Sequence, residues 1–128
     1  MSKRPQADPE TAKLKEKCNS ILAISPRIRY AGIINKFGRT LAGSLRKGVT
    51  PLLNPEEARN EYFIEATRSQ LRKSLEKSVG RTEFSYTENE KVKIATIPAA
   101  DYFYYITMDK ETSAGELAGT IEKTRKMI

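Results

Sequence analysis

The sequence predicts an α+β fold in which a five-stranded antiparallel sheet is covered by helices on both faces. Three observations lead there. Helix and turn signals divide the chain into the order α-β-β-α-β-β-β-α. Two of the five strand segments, residues 28–35 and 102–108, are apolar or aromatic on both of their alternating faces, as central strands covered from both sides are. Residues 39–46, by contrast, alternate more cleanly, as an edge strand does.

The first helix opens with Asp8 as N-cap and Pro9 at the first helical position. Leu14, Cys18, Ile21 and Leu22 form its apolar stripe at three- and four-residue spacing, and Pro26 marks its end. Cys18 lies inside that stripe and reads as a core thiol rather than a reactive one. Residues 1–7 read as a disordered arm, leaving residues 8–128 as one domain.

A hairpin follows. Its first strand carries Ile28, Tyr30 and Ile34 on one face and Ala31 and Ile33 on the other. The chain turns at Asn35-Lys36-Phe37-Gly38, where glycine permits a positive dihedral. The second strand, residues 39–46, opposes Leu41 and Leu45 to Thr40, Ala42 and Ser44 and reads as an edge.

The second helix has Asn54 as N-cap, Pro55 behind it, Glu56 and Glu57 in its first turn, and Gly80 just past its end. On a helical wheel Ile64, Thr67, Leu71, Leu75 and Ser78 form the expected core stripe. Opposite lies a weaker stripe of Ala58, Tyr62, Ala66 and Ser69, whose small residues would let another helix approach.

Three strands and a helix complete the chain. Residues 82–87 place Thr82, Phe84 and Tyr86 on one face, and residues 91–97 place Val92 and Ile94 opposite Lys91 and Lys93. The last strand, "YFYYITM", has no polar face. Ser113 and Glu116 form a capping box for a final helix with the stripe Leu117, Ala118, Ile121 and Ile128.

At 128 residues and 14.5 kDa the chain suits a single domain that needs no staples. One cysteine cannot form an internal disulfide, and the N-terminus lacks the apolar core of a signal peptide, so a cytoplasmic setting is expected. The net charge of +7 is concentrated: residues 27–47 hold Arg27, Arg29, Lys36, Arg39, Arg46 and Lys47 with no acidic residue. Such a patch suits an anionic partner or a solvated surface that protects strand edges.

Catalytic signals are absent. With no histidine, His-based triads and the commonest zinc ligand are removed. The segment "GRTLAGS" looks superficially like a phosphate loop, but it lacks the lysine and lies in a hairpin. Gly115 and Gly119 suit close packing of a helix on a sheet, and the pairs Glu56/Glu57 and Asp109/Glu111 sit at element ends. The expectation is a protein that is not an enzyme and has no catalytic, cofactor or metal residues.

The element order, opening with the hairpin "YAGIINKFGRTLAGS", resembles the roadblock (dynein light chain) family of the profilin-like superfold over residues 9–128. It is also similar to an uncharacterised archaeal family with this hairpin. The roadblock resemblance implies a sheet order of 2-1-5-4-3 and a homodimer formed through the second helix and third strand. On this sequence those positions are Ala58, Tyr62, Ala66, Ser69, Thr82, Phe84 and Tyr86. It further implies a non-catalytic interaction platform that docks a small Ras-like GTPase or a signalling partner. Two alternatives come from the basic hairpin: a sensor for a small anion near Arg27, Arg29 and Arg39, or a nucleic-acid binder using Tyr30 and Phe37.

Overall fold

A computed structural model describes residues 9–128; the expected arm at 1–7 and the expected cap Asp8 lie outside the described residues. The elements are α1 (Pro9–Leu22), β1 (Ile28–Asn35), β2 (Thr40–Leu45), α2 (Pro55–Arg72), a 3-10 turn (Lys73–Leu75), α3 (Glu76–Val79), β3 (Ser85–Glu88), β4 (Val92–Pro98), β5 (Tyr102–Asp109) and α4 (Ala114–Met127). One antiparallel sheet runs β2-β1-β5-β4-β3, with the two doubly apolar strands at its centre as expected.

Helices α1 and α4 share one face of the sheet. Cys18, Ile21, Leu117 and Ile121 pack there on Ile28, Ile33, Ile106 and Met108. Burial pushes the Cys18 thiol up to about 11, so it is an unreactive core group. Helix α2 lies on the opposite face, over Ile34, Phe103 and Tyr105.

Local signals act where the sequence puts them. Asn54 accepts from the Glu57 amide at 2.8 Å while Glu57 accepts from the Asn54 amide at 3.0 Å. The Ser113–Glu116 box closes in the same way. At the β1–β2 turn the Asn35 side chain accepts from the amides of Phe37 and Arg39 at 2.9 and 3.0 Å, and Gly38 takes φ 83°.

Several expectations need correction. Helix α1 ends at Leu22, short of Pro26, and the Arg46 guanidinium satisfies the carbonyls of Leu22 and Ser25 past its end. The long second helix breaks at the 3-10 turn, where the Ser74 hydroxyl donates to the Leu71 carbonyl at 2.8 Å. Strand β3 begins at Ser85, not 82: Ser85 pairs with Thr96, so Glu83 would fall opposite Pro98, which has no amide to donate.

The largest correction concerns which side of α2 faces inward. The expected core residues Ile64 and Leu71 are 52% and 68% exposed, and Leu75 is exposed beyond them. The opposite stripe meets the sheet, with Ala66 only 3% exposed and Ala58, Tyr62 and Ser69 half-buried. The sheet explains this reversal. Tyr30, Phe103 and Tyr105 already fill the layer with rings, so the helix must present small side chains or a ring that packs edge-on.

Candidate functional site

The face under α2 is built on three tyrosines. Tyr62 meets Tyr105 edge to face at 5.0 Å and 80°, and Tyr30 meets Tyr105 at 6.4 Å and 64°. The Tyr105 hydroxyl donates to Glu61 at 2.7 Å. Burial raises the pKa of all three phenols above the ordinary tyrosine value. Tyr30 lies flat across the paired glycines of the hairpin: a Cβ on Gly32 would stand 2.7 Å from its ring, and one on Gly43 would collide with its hydroxyl. Sequence reasoning missed this cluster, although the paired Tyr-Ala-Gly and Ala-Gly-Ser steps of the hairpin are its trace.

Helix α2 has two flanks. On one, a cavity of about 450 Å³ opens between Glu61 and Ile64 of the helix and Tyr30, Leu45, Val92 and Thr107 of the sheet. A groove nearby runs from Arg68 and Arg72 to Phe84 and Tyr86, so this flank adjoins the β3 edge. On the other flank Phe63 backs onto the β1–β2 turn, where a Cβ on Gly38 would reach the Phe63 Cα at 3.0 Å. Glu65 is buried beneath the helix with Arg68 at 3.7 Å, and burial raises its carboxyl pKa above the ordinary value.

The residues expected at a dimer contact therefore divide. Ala58, Tyr62, Ala66 and Ser69 are turned toward the chain's own sheet, whereas Phe84 and Tyr86 are exposed beside the β3 edge and Thr82 is half-buried there. The six basic residues divide as well. Arg46 is a structural staple, donating to Ile28, Leu22 and Ser25 carbonyls at 2.6, 2.5 and 2.7 Å. Arg27 pairs with Glu116 at 3.1 Å and Asp109 at 3.5 Å, and Arg29 donates to the Thr50 carbonyl at 2.8 Å. Lys36 sits over the Phe37 ring at 5.4 Å, next to Arg39 at the tip, with Lys47 at the far end of the hairpin. The hairpin thus carries no single charged stripe.

Among the described residues no group of three His, Cys, Asp or Glu side chains could hold a metal ion. No helix there is long and apolar enough to cross a membrane.

Comparison with solved structures shows the roadblock-like, profilin-like fold. MglB in a tetrameric arrangement is similar at TM-score 0.75 and 15% identity, over 95% of this chain and 89% of that one. The Roadblock/LC7 domain from Streptomyces avermitilis is similar at TM-score 0.61 and 13% identity, over 89% and 96%. Profilin II from Acanthamoeba castellanii is similar at TM-score 0.60 and 13% identity, over 89% and 94%. At such identities the likeness concerns the fold alone. No curated protein matches the sequence. Residues 9–127 match the sequence family DUF6659, described as a family of unknown function, and the chain belongs to that family.

Proposed function

We propose that this protein is a non-catalytic regulatory platform that pairs with a second copy of itself and docks a partner of the small-GTPase or signalling class. The observation that carries the reading is the exposed side of α2. Ile64 and Leu71 stand in solvent on the helix whose Arg68 and Arg72 line a groove with Phe84 and Tyr86, next to the β3 edge that has no strand beside it among the described residues. An apolar stripe next to an open edge strand is a surface that monomers rarely leave uncovered. Two-fold pairing would join the β3 edges and lay the α2 stripes together. The contact differs from the sequence expectation in its helix residues: Ile64 and Leu71 take the place of Ala58, Tyr62, Ala66 and Ser69. Support for self-association comes from the tetrameric arrangement of MglB, and support for the partner class from the roadblock-like fold.

Light scattering on the purified chain tests the pairing. The expected mass is about twice the 14.5 kDa of one chain, falling to one chain's mass when Ile64→Glu and Leu71→Glu are combined. A wild-type mass of one chain at concentrations well above micromolar overturns it.

A second reading, a small-ligand sensor, is favoured by the cavity of about 450 Å³ beside Tyr30 and Tyr105, with Arg29 in its wall. It predicts that a small amphipathic molecule, which meets Glu57 and Glu61 as well as Arg29, raises the melting temperature, by an amount equivalent to about 2.7 kcal/mol at a hundredfold excess over Kd. Arg29→Ala should remove that rise.

A further inference from the structure

We propose that the groove between the β1–β2 turn and the opposite flank of α2 docks an acidic peptide segment through one apolar anchor side chain. The groove encloses about 440 Å³, with Phe37 and Phe63 on its rims, Ala58 and Tyr62 in its floor, and Arg39 and Arg59 beside them. Phe37 and Phe63 are 75% and 64% exposed, the largest exposures of any aromatic ring among the described residues. Neither arginine has an ion-pair partner among the described residues, and no carboxylate lines the groove. Charge complementarity therefore selects an acidic occupant.

The backbone that carries Phe37 is held at several points. Phe37 stands on a turn fixed by two hydrogen bonds to the Asn35 side chain and by close contact of Gly38 with the α2 backbone. An anchor on a backbone fixed before binding has less freedom to lose on contact. Concavity distinguishes this surface from a membrane-binding one. The two rings flank a hollow that takes a side chain, rather than projecting together as a wedge for lipid. The inference rests on the platform reading for its purpose, but the groove lies on the flank of α2 away from β3, so the two can fail separately.

Fluorescence anisotropy with the full chain and a labelled peptide of glutamates around a single central leucine tests it. Saturable binding is expected, weakened by about tenfold or more by Phe37→Ser and by Arg39→Glu with Arg59→Glu. Because the protein is basic overall, Lys13→Glu with Lys47→Glu, of equal charge change but remote, should bind nearly as wild type does. Light scattering should give all variants the same mass as wild type, which separates loss of this groove from loss of self-association. Circular dichroism checks that each variant is folded, and the arginine pair decides if Phe37→Ser is not. Failure of the wild type to bind the peptide overturns the proposal. So does equal loss in the remote lysine variant. Sedimentation with phosphatidylserine vesicles in place of peptide binding would overturn it in favour of a membrane surface.

Discussion

The two faces of the sheet bury side chains by different means. Toward α1 and α4, mostly aliphatic residues from six elements interlock around the Tyr104 ring, and Ile28, Ile33, Ile106 and Met108 are wholly removed from solvent. Toward α2, rings stand between sheet and helix: Tyr30, Tyr62 and Tyr105 hold the helix off and leave a cavity on one flank and a groove on the other. The closed face supplies the core, and the spaced face leaves room for contacts with other molecules. That contrast puts the proposed binding surfaces on the face that packs its side chains less closely.

The sharpest way to break the contrast is to truncate one residue on each side. Ile106→Ala removes a buried side chain from the closed face and should cost about 2–5 kcal/mol in urea unfolding. Leu71→Ala, on the exposed side of α2, should change the stability of the monomer by less than about 0.5 kcal/mol. Comparable losses at both positions, measured in the Ile64→Glu background that prevents the proposed pairing, would mean that α2 is packed as tightly as α1 and α4.

Crowding the spaced face comes next in size. Gly43→Ala would drive a methyl group into the Tyr30 hydroxyl, forcing the ring off the hairpin and away from Tyr105. A loss of about 1–3 kcal/mol is expected, together with a changed near-ultraviolet tyrosine signal. Gly119→Ala on α4, where a Cβ meets open space, should be neutral or stabilising in the same assay. An unchanged tyrosine signal in Gly43→Ala would show that the ring has room to move.

The closed face was legible in the sequence, and the spaced face only in part. Strands β1 and β5 identify themselves because residues such as Ile33 and Tyr104 face one helical layer while Ile34 and Phe103 face the other. The caps at Asn54 and Ser113 and the turn at Gly38 are local rules that tertiary context did not override. The orientation of α2 was not legible, because hydrophobicity alone assigns Ile64 and Leu71 to the core. What turned the helix was the size of Tyr30 and Tyr105 across the gap, a property of residues 30 or more positions away in sequence. Likewise the positive hairpin reads as one patch, until Arg46 and Arg27 find backbone carbonyls and carboxylates in other elements.

The smallest expected effect tests how polar the spaced face remains. Glu65 is buried under α2, where desolvation raises its carboxyl pKa, opposed by Arg68 and reinforced by Glu61. A carboxyl that binds its proton more tightly in the folded chain makes the native state hold more protons than the unfolded one. Stability from this group is therefore greatest in acid and declines as pH rises through the unfolded carboxylate range to the raised folded value. Glu65→Gln should remove that decline and make the protein somewhat more stable at neutral pH, as seen in melting temperatures across the acid range. If instead the variant is less stable at neutral pH, the Arg68 ion pair outweighs burial, and the polar contacts under α2 hold the helix down rather than merely being tolerated there.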